Sequence, residues 1–73
     1  MRAKMEHLTI PAFDNENQMM AAINVTNDKA NAFGTFIVRL DRDENLDKKE
    51  VERLAVGAVK QFLNNGEELT IEG

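Results

Sequence analysis

The sequence predicts an α+β domain, a small two-layer sandwich in which one amphipathic helix packs on a three- or four-stranded, mainly antiparallel sheet. Apolar side chains alternate along 19–26 and 33–40, as is typical of strands. A clear helix start follows them at Asp47. The order of elements is then β-β-β-α-β, and the 73 residues are expected to form a single domain over 1–73.

The first two predicted strands are short and separated by a polar turn. The first covers 7–10 and ends at Pro11, which has no N–H to donate to a neighbouring strand. The second covers 19–26 and places Met19 and Ile23 on the same face. Its β-branched residues favour a strand over a helix, so we expect its apolar face to line the core.

Both faces of the third predicted strand, 33–40, carry apolar residues. One face holds Phe36, Val38 and Leu40, and the other holds Phe33 and Ile37. A strand that is apolar on both faces is expected at a central position in the sheet, or at a surface that a second copy of the chain covers.

The helix start is the clearest local signal in the chain. Asp47 is placed to cap the first turn, and Glu50 three residues later completes a capping box. Leu46 and Val51 flank the cap as a hydrophobic staple. The helix is expected to run to about residue 64. Its predicted core-facing stripe consists of Val51, Leu54, Ala55, Ala58 and Phe62.

The end of the chain predicts one more short strand. The Asn-Asn-Gly segment at 64–66 is typical of a helix C-terminus. Alternation resumes over 69–71. A right-handed crossover through the helix would lay this last strand parallel to the third strand.

Composition excludes several classes of function. The net charge is −4, and no cluster of Lys and Arg is present to neutralise phosphates. The chain lacks Trp and Tyr and has only four Phe, so bases have few aromatic platforms to stack on. We therefore expect no direct binding to nucleic acid.

The expected location is the cytoplasm. The chain has no cysteine, whereas small secreted domains usually depend on disulfides. No apolar run is long enough for a membrane-spanning helix, and no apolar segment of the signal-peptide type follows the basic start. Neither a membrane nor a cofactor is an expected partner.

The acidic segment 41–52 is a weak candidate for a metal site. Its side chains match the first, third, fifth and last ligand positions of the calcium-binding loop of EF-hand proteins. The matching residues are Asp41, Asp43, Asn45 and Glu52. Leu46 stands where that loop needs Gly, and Lys48 where it needs an apolar residue. An acidic turn leading into a capped helix explains the same residues more simply.

Catalysis is not expected. His7 is the single histidine, and the chain contains neither Ser nor Cys, so the usual nucleophile and base arrangements are missing. A chain of this length also has little volume for an enclosed pocket.

We therefore predict a small, non-enzymatic protein–protein interaction module of bacterial or phage type. Its partner is another protein or a second copy of itself, in a homodimer. The expected interface residues are Met20, Ala22, Phe33 and Ile37. One alternative is an acidic inhibitor or nucleic-acid mimic that blocks a basic site on its target. A second alternative is calcium binding at 41–52.

Overall fold

The computed structural model of the chain describes residues 1–27, 29, 32–63 and 70–71. Its elements are the strands β1 (Arg2–Thr9), β2 (Gln18–Asn27) and β3 (Ala32–Asp41), the helix α1 (Lys48–Leu63) and the two-residue strand β4 (Thr70–Ile71). Three antiparallel strands in one open sheet, together with one helix, confirm the predicted α+β class.

The sheet has the strand order β3-β2-β1-β4. The prediction that the last strand lies beside the third is wrong, because β4 pairs in parallel with Arg2 and Ala3 of β1. The helix contacts all three long strands. After the helix, the chain rejoins the sheet on the side of β1 that is away from β2. This order also makes β3 an edge strand, so the interpretation of β3 as a central strand is wrong.

Strand β1 is longer than the predicted segment 7–10. Ala3 and Met5 are buried, and charged side chains alternate with them at Arg2 and Lys4. This alternation with period two is a strand signal, and it lies before the predicted segment 7–10. A bulge after Met5 shifts the register, which brings Leu8 onto the same buried side of the sheet.

The core lies between α1 and one face of the sheet. Its largest fully buried side chains are Met19, Ile23, Val51 and Val59. Among the residues that the structure describes, no helix is both long and apolar enough to cross a membrane.

The buried face of α1 differs from the predicted stripe. It consists of Val51, Ala55, Val56 and Val59. Leu54 is 50% exposed and Phe62 is 75% exposed. The helix is therefore rotated toward Val56 and Val59, and its Leu54 and Phe62 side chains lie outside the core.

The helix begins at the predicted cap. The backbone N–H of Glu50 donates to Oδ1 of Asp47 at 2.8 Å, and the N–H of Val51 donates to the carbonyl of Asp47 at 3.0 Å. Leu46 packs against the core that contains Val51. Residues 43–46 form a turn that leads into this cap. In this turn the N–H of Leu46 donates a hydrogen bond to the carbonyl of Asp43.

Replacing Asp47 with alanine is expected to cost about 1 kcal/mol of unfolding free energy, because the N–H of Glu50 loses its acceptor. In a domain of this size the thermal midpoint should fall by about 4–8 °C. Circular dichroism at the helix band measures this fall. Asp47→Asn keeps an acceptor oxygen and should stay close to the wild type; equal midpoints for Asp47→Ala and the wild type would contradict the cap.

Candidate interaction surface at the edge of the sheet

The predicted interface residues lie on the face of the sheet that is turned away from α1, which we call the open face. Met20 and Ala22 are half-buried there. Phe33 is 81% exposed and Ile37 is 59% exposed. Cross-strand pairing sets Ile37 opposite Ala22, so these two side chains form one short apolar row across β2 and β3.

A polar row interrupts the open face between Phe33 and Ile37. Asn24 and Thr35 pair across the strands at this position. The side-chain amide of Asn24 donates to Oε1 of Glu6 at 3.0 Å. The open face is therefore not one continuous apolar patch, and its most exposed apolar side chains both belong to β3.

The outer edge of β3 carries backbone groups that no other described strand pairs with. The N–H of Arg42 donates to the carbonyl of Asn17 at 2.9 Å, just beyond the end of the β2–β3 ladder. The register between these strands is unbroken, so even-numbered residues of β3 bond to β2. The residues whose N–H and C=O groups point to the free edge are Phe33, Thr35, Ile37, Arg39 and Asp41.

A groove of about 440 Å³ runs between this edge and α1. Phe36 and Val38 line it from the strand, and Ala58 and Phe62 line it from the helix. The rings of Phe36 and Phe62 meet edge to face, with centroids 5.7 Å apart and planes at 66°. Phe62 thus overhangs the groove, where it remains largely exposed to solvent.

An ion pair fixes the one cation of β3. The guanidinium of Arg39 donates two hydrogen bonds to the carboxylate of Asp14, from Nη1 to Oδ1 at 2.8 Å and from Nη2 to Oδ2 at 2.7 Å. These bonds hold the pKa of Asp14 below its ordinary value. Because that pKa is lowered by folding, the pair favours the fold above the ordinary carboxylate pKa, and its contribution is lost as the pH falls through the lowered value. Both side chains are exposed, so the contribution is small.

The calcium candidates lie at the end of β3, in the following turn and in the first turns of α1. They are Asp41, Asp43, Asn45 and Glu52. Oδ1 of Asp43 accepts a hydrogen bond from the N–H of Asn45 at 2.9 Å, and Oε2 of Glu52 accepts one from the N–H of Met5 at 2.8 Å. The described part of the chain contains no group of three or more His, Asp or Glu side chains placed to hold a metal ion.

Calcium is therefore expected to leave the protein unchanged. Addition of millimolar calcium to metal-free protein should shift neither the thermal midpoint nor the amide resonances of 41–52, because Glu52 is held by β1 rather than by the loop. A titration followed by NMR measures the amide resonances, and thermal unfolding with and without calcium measures the midpoint. A saturable shift confined to 41–52 would contradict it, and magnesium at the same concentration controls for ionic strength.

Comparisons with protein-family models, with curated proteins and with solved structures found no match for this chain. The function proposed below therefore rests on the geometry and chemistry of the described residues.

Proposed function

We propose that this chain is a non-enzymatic protein-interaction module that binds a protein partner or a second copy of itself through the β3 surface. The β3 surface comprises the free edge of β3, its exposed Phe33 and Ile37, and the groove between β3 and α1. The β-β-β-α-β sandwich is the scaffold that presents it. The observation that carries the proposal is that exposed apolar side chains and backbone groups with no described strand beside them occur on the same strand.

Within its described residues 32–41, strand β3 has few of the usual protections of an edge strand. Such strands are normally short, bulged, or guarded by Pro and Lys. By contrast, β3 has ten residues, none of them Pro or Lys, and an unbroken register with β2. Its single cation, Arg39, is neutralised by Asp14. An added strand would therefore find hydrogen-bonding groups and apolar contacts with little to repel it.

The acidic segment 41–52 supports the alternative of a nucleic-acid mimic less well. Its acids are interleaved with the bases Arg42, Lys48 and Lys49. Nη2 of Arg42 lies 3.1 Å from a carboxylate oxygen of Glu44. Glu52 is engaged with β1, so the segment does not present a uniform acidic surface to a basic target.

We place the proposed partner in the cytoplasm, because the chain has no cysteine for disulfides.

The proposal is tested with three tagged baits: the wild type and two variants, each of which is changed at one exposed isoleucine. Ile37→Lys places a charge on the β3 surface, where binding of a partner would desolvate it. Ile10→Lys makes the same change beyond the end of β1. The two positions are matched, at 59% and 50% exposure. Quantitative mass spectrometry of captured proteins, with untagged copies of the chain present, is the measurement.

We expect the wild type and Ile10→Lys to capture at least one common protein, the untagged copy included, that Ile37→Lys loses by tenfold or more, about 1.4 kcal/mol. The proposal is overturned when all three baits, each shown to be folded by circular dichroism, capture the same proteins in equal amounts.

A further inference from the structure

We infer that the partner at the β3 surface is a second copy of this chain, joined by antiparallel β3–β3 pairing about a two-fold axis at Ile37. The inference deepens the proposed function and rests on it. Isologous two-fold contacts are the commonest form of association for soluble proteins. Here the sheet would continue through the axis, from β1 and β2 of one copy to β2 and β1 of the other.

The backbone pattern of β3 fits this arrangement. Ile37 directs its N–H and C=O to the free edge, so two Ile37 residues facing each other exchange both hydrogen bonds across the axis. Residues 33–41 of each copy are then paired over about 30 Å. A second copy satisfies two exposed edges at once. The other edge of the described sheet is less regular: the two-residue strand β4 covers Arg2 and Ala3 there, and a bulge after Met5 interrupts the rest of β1.

The open face favours this register over an axis at the neighbouring Phe36. The apolar row formed by Ala22 and Ile37 meets the same row of the second copy when the axis passes through Ile37. An axis at the neighbouring Phe36 would instead set Ile37 against Thr35, and the row would continue into the polar Asn24. Pairing at Ile37 therefore buries apolar against apolar side chains, which is the favourable cross-strand combination.

Charge permits the same register despite the net charge of −4 on each copy. Residues 33–40 contain no acid, and their one base, Arg39, is paired with Asp14. The two Arg39 residues lie on opposite sides of the axis, about 14 Å apart along the strands. This exceeds the screening length of about 8 Å at physiological salt, and Asp41 faces Phe33 rather than another acid.

The area of a stable interface requires the groove to take part. Stable interfaces remove about 800 Å² of surface from each partner, which is more than a bare strand edge supplies. A two-fold axis perpendicular to the sheet puts both helices on the same side. The exposed Phe62 of each copy, with Ala58 beside it, then faces the other copy, and the two grooves of about 440 Å³ close against each other.

Single cysteines test the axis directly, because the chain has no cysteine of its own. Two Ile37→Cys residues would lie about 5.5 Å apart between Cα atoms, within the range of a disulfide. Two Thr35→Cys residues, on the same face of the same strand, would be about 14 Å apart and out of range. A mixture of Thr35→Cys and Arg39→Cys, which retains Ile37, should form the mixed 35–39 disulfide.

The measurement is the initial rate of disulfide dimer formation by purified, folded variants in a glutathione redox buffer, followed by mass spectrometry. Because the paired thiols share a millimolar effective concentration, Ile37→Cys should cross-link at least about tenfold faster than Thr35→Cys and the exposed control Ile10→Cys at ~50 μM protein. The Thr35→Cys and Arg39→Cys mixture should show the same advantage over either variant alone.

Equal rates for Ile37→Cys and both controls, together with no advantage for the mixture, overturn the inference. That result leaves the proposed function standing when the Ile37→Lys bait still loses a different captured protein. The inference and the proposed function fail together only when the Ile37→Lys bait captures the same proteins as the wild type.

Discussion

Replacing Ile23 with alanine is expected to lower the free energy of unfolding by about 2–5 kcal/mol. Ile23 lies in the middle of β2, is 0% exposed, and belongs to the buried cluster that contains Val51 and Val59. The smaller side chain removes apolar burial and leaves a cavity between sheet and helix. Since the total stability of such a domain is about 4–11 kcal/mol, much of it would be lost.

The matched control is Ile10→Ala, the same change at a side chain that is 50% exposed. Surface substitutions of this kind cost about 0.5 kcal/mol or less. Urea unfolding of both variants at equal, low protein concentration gives the two free energies. Similar losses for Ile23→Ala and Ile10→Ala would contradict the placement of the core between α1 and β2.

Replacing Glu52 with alanine is expected to cost about 1–3 kcal/mol. At the bulge in β1 the N–H of Met5 donates to Oε2 of Glu52 at 2.8 Å, in a partly buried position. Removal of the carboxylate leaves this donor without the charged acceptor that now satisfies it. Glu52 therefore connects the helix to the first strand, and the substitution weakens that connection.

Two further variants isolate this hydrogen bond. Glu52→Gln keeps an acceptor oxygen and should lose less than Glu52→Ala. Glu50→Ala removes a carboxylate from the first turn of the same helix and should cost only about 0.3–1 kcal/mol through the helix dipole. Urea unfolding and hydrogen exchange at the amide of Met5 measure these effects. Equal losses for Glu52→Ala and Glu50→Ala, with unchanged exchange at Met5, would contradict the contact.

The elements that sequence patterns predicted well are those determined by neighbouring residues. Asp47 caps the helix through bonds that span only three or four residues, and alternation over 19–26 and 33–40 follows from side chains two apart. The same alternation marks Ala3 and Met5, so most of β1 was also within reach of the sequence. Its bulge was not, because the partner of the Met5 amide lies far away in the helix.

Strand order and helix rotation depend on contacts between distant segments, and the sequence patterns predicted both of them wrongly. Both Phe62 and Leu54 fit an apolar stripe, but the core lies on the side of Val56 and Val59. The stripe alone does not show where the sheet ends beneath the helix. Since β3 is the edge, Phe62 overhangs a groove instead of filling the core.

The sequence indicated which residues belong to the candidate surface, but not that the surface is divided or that it lies at a sheet edge. Ile37 and Phe33 stood out as apolar side chains on the second face of a strand, and both are exposed. The sequence suggested a patch that also included Met20 and Ala22. The polar pair Asn24 and Thr35 divides that patch, and it is the strand order that shifts the emphasis from the open face to the free edge of β3.

The mass of the native chain in solution tests self-association through β3 most directly. Sedimentation equilibrium from low to high micromolar concentration should show a reversible species of twice 8.2 kDa. Ile37→Lys should shift it to the single-chain mass, and Ile10→Lys should not. A single species of 8.2 kDa over the whole range for the wild type would contradict self-association.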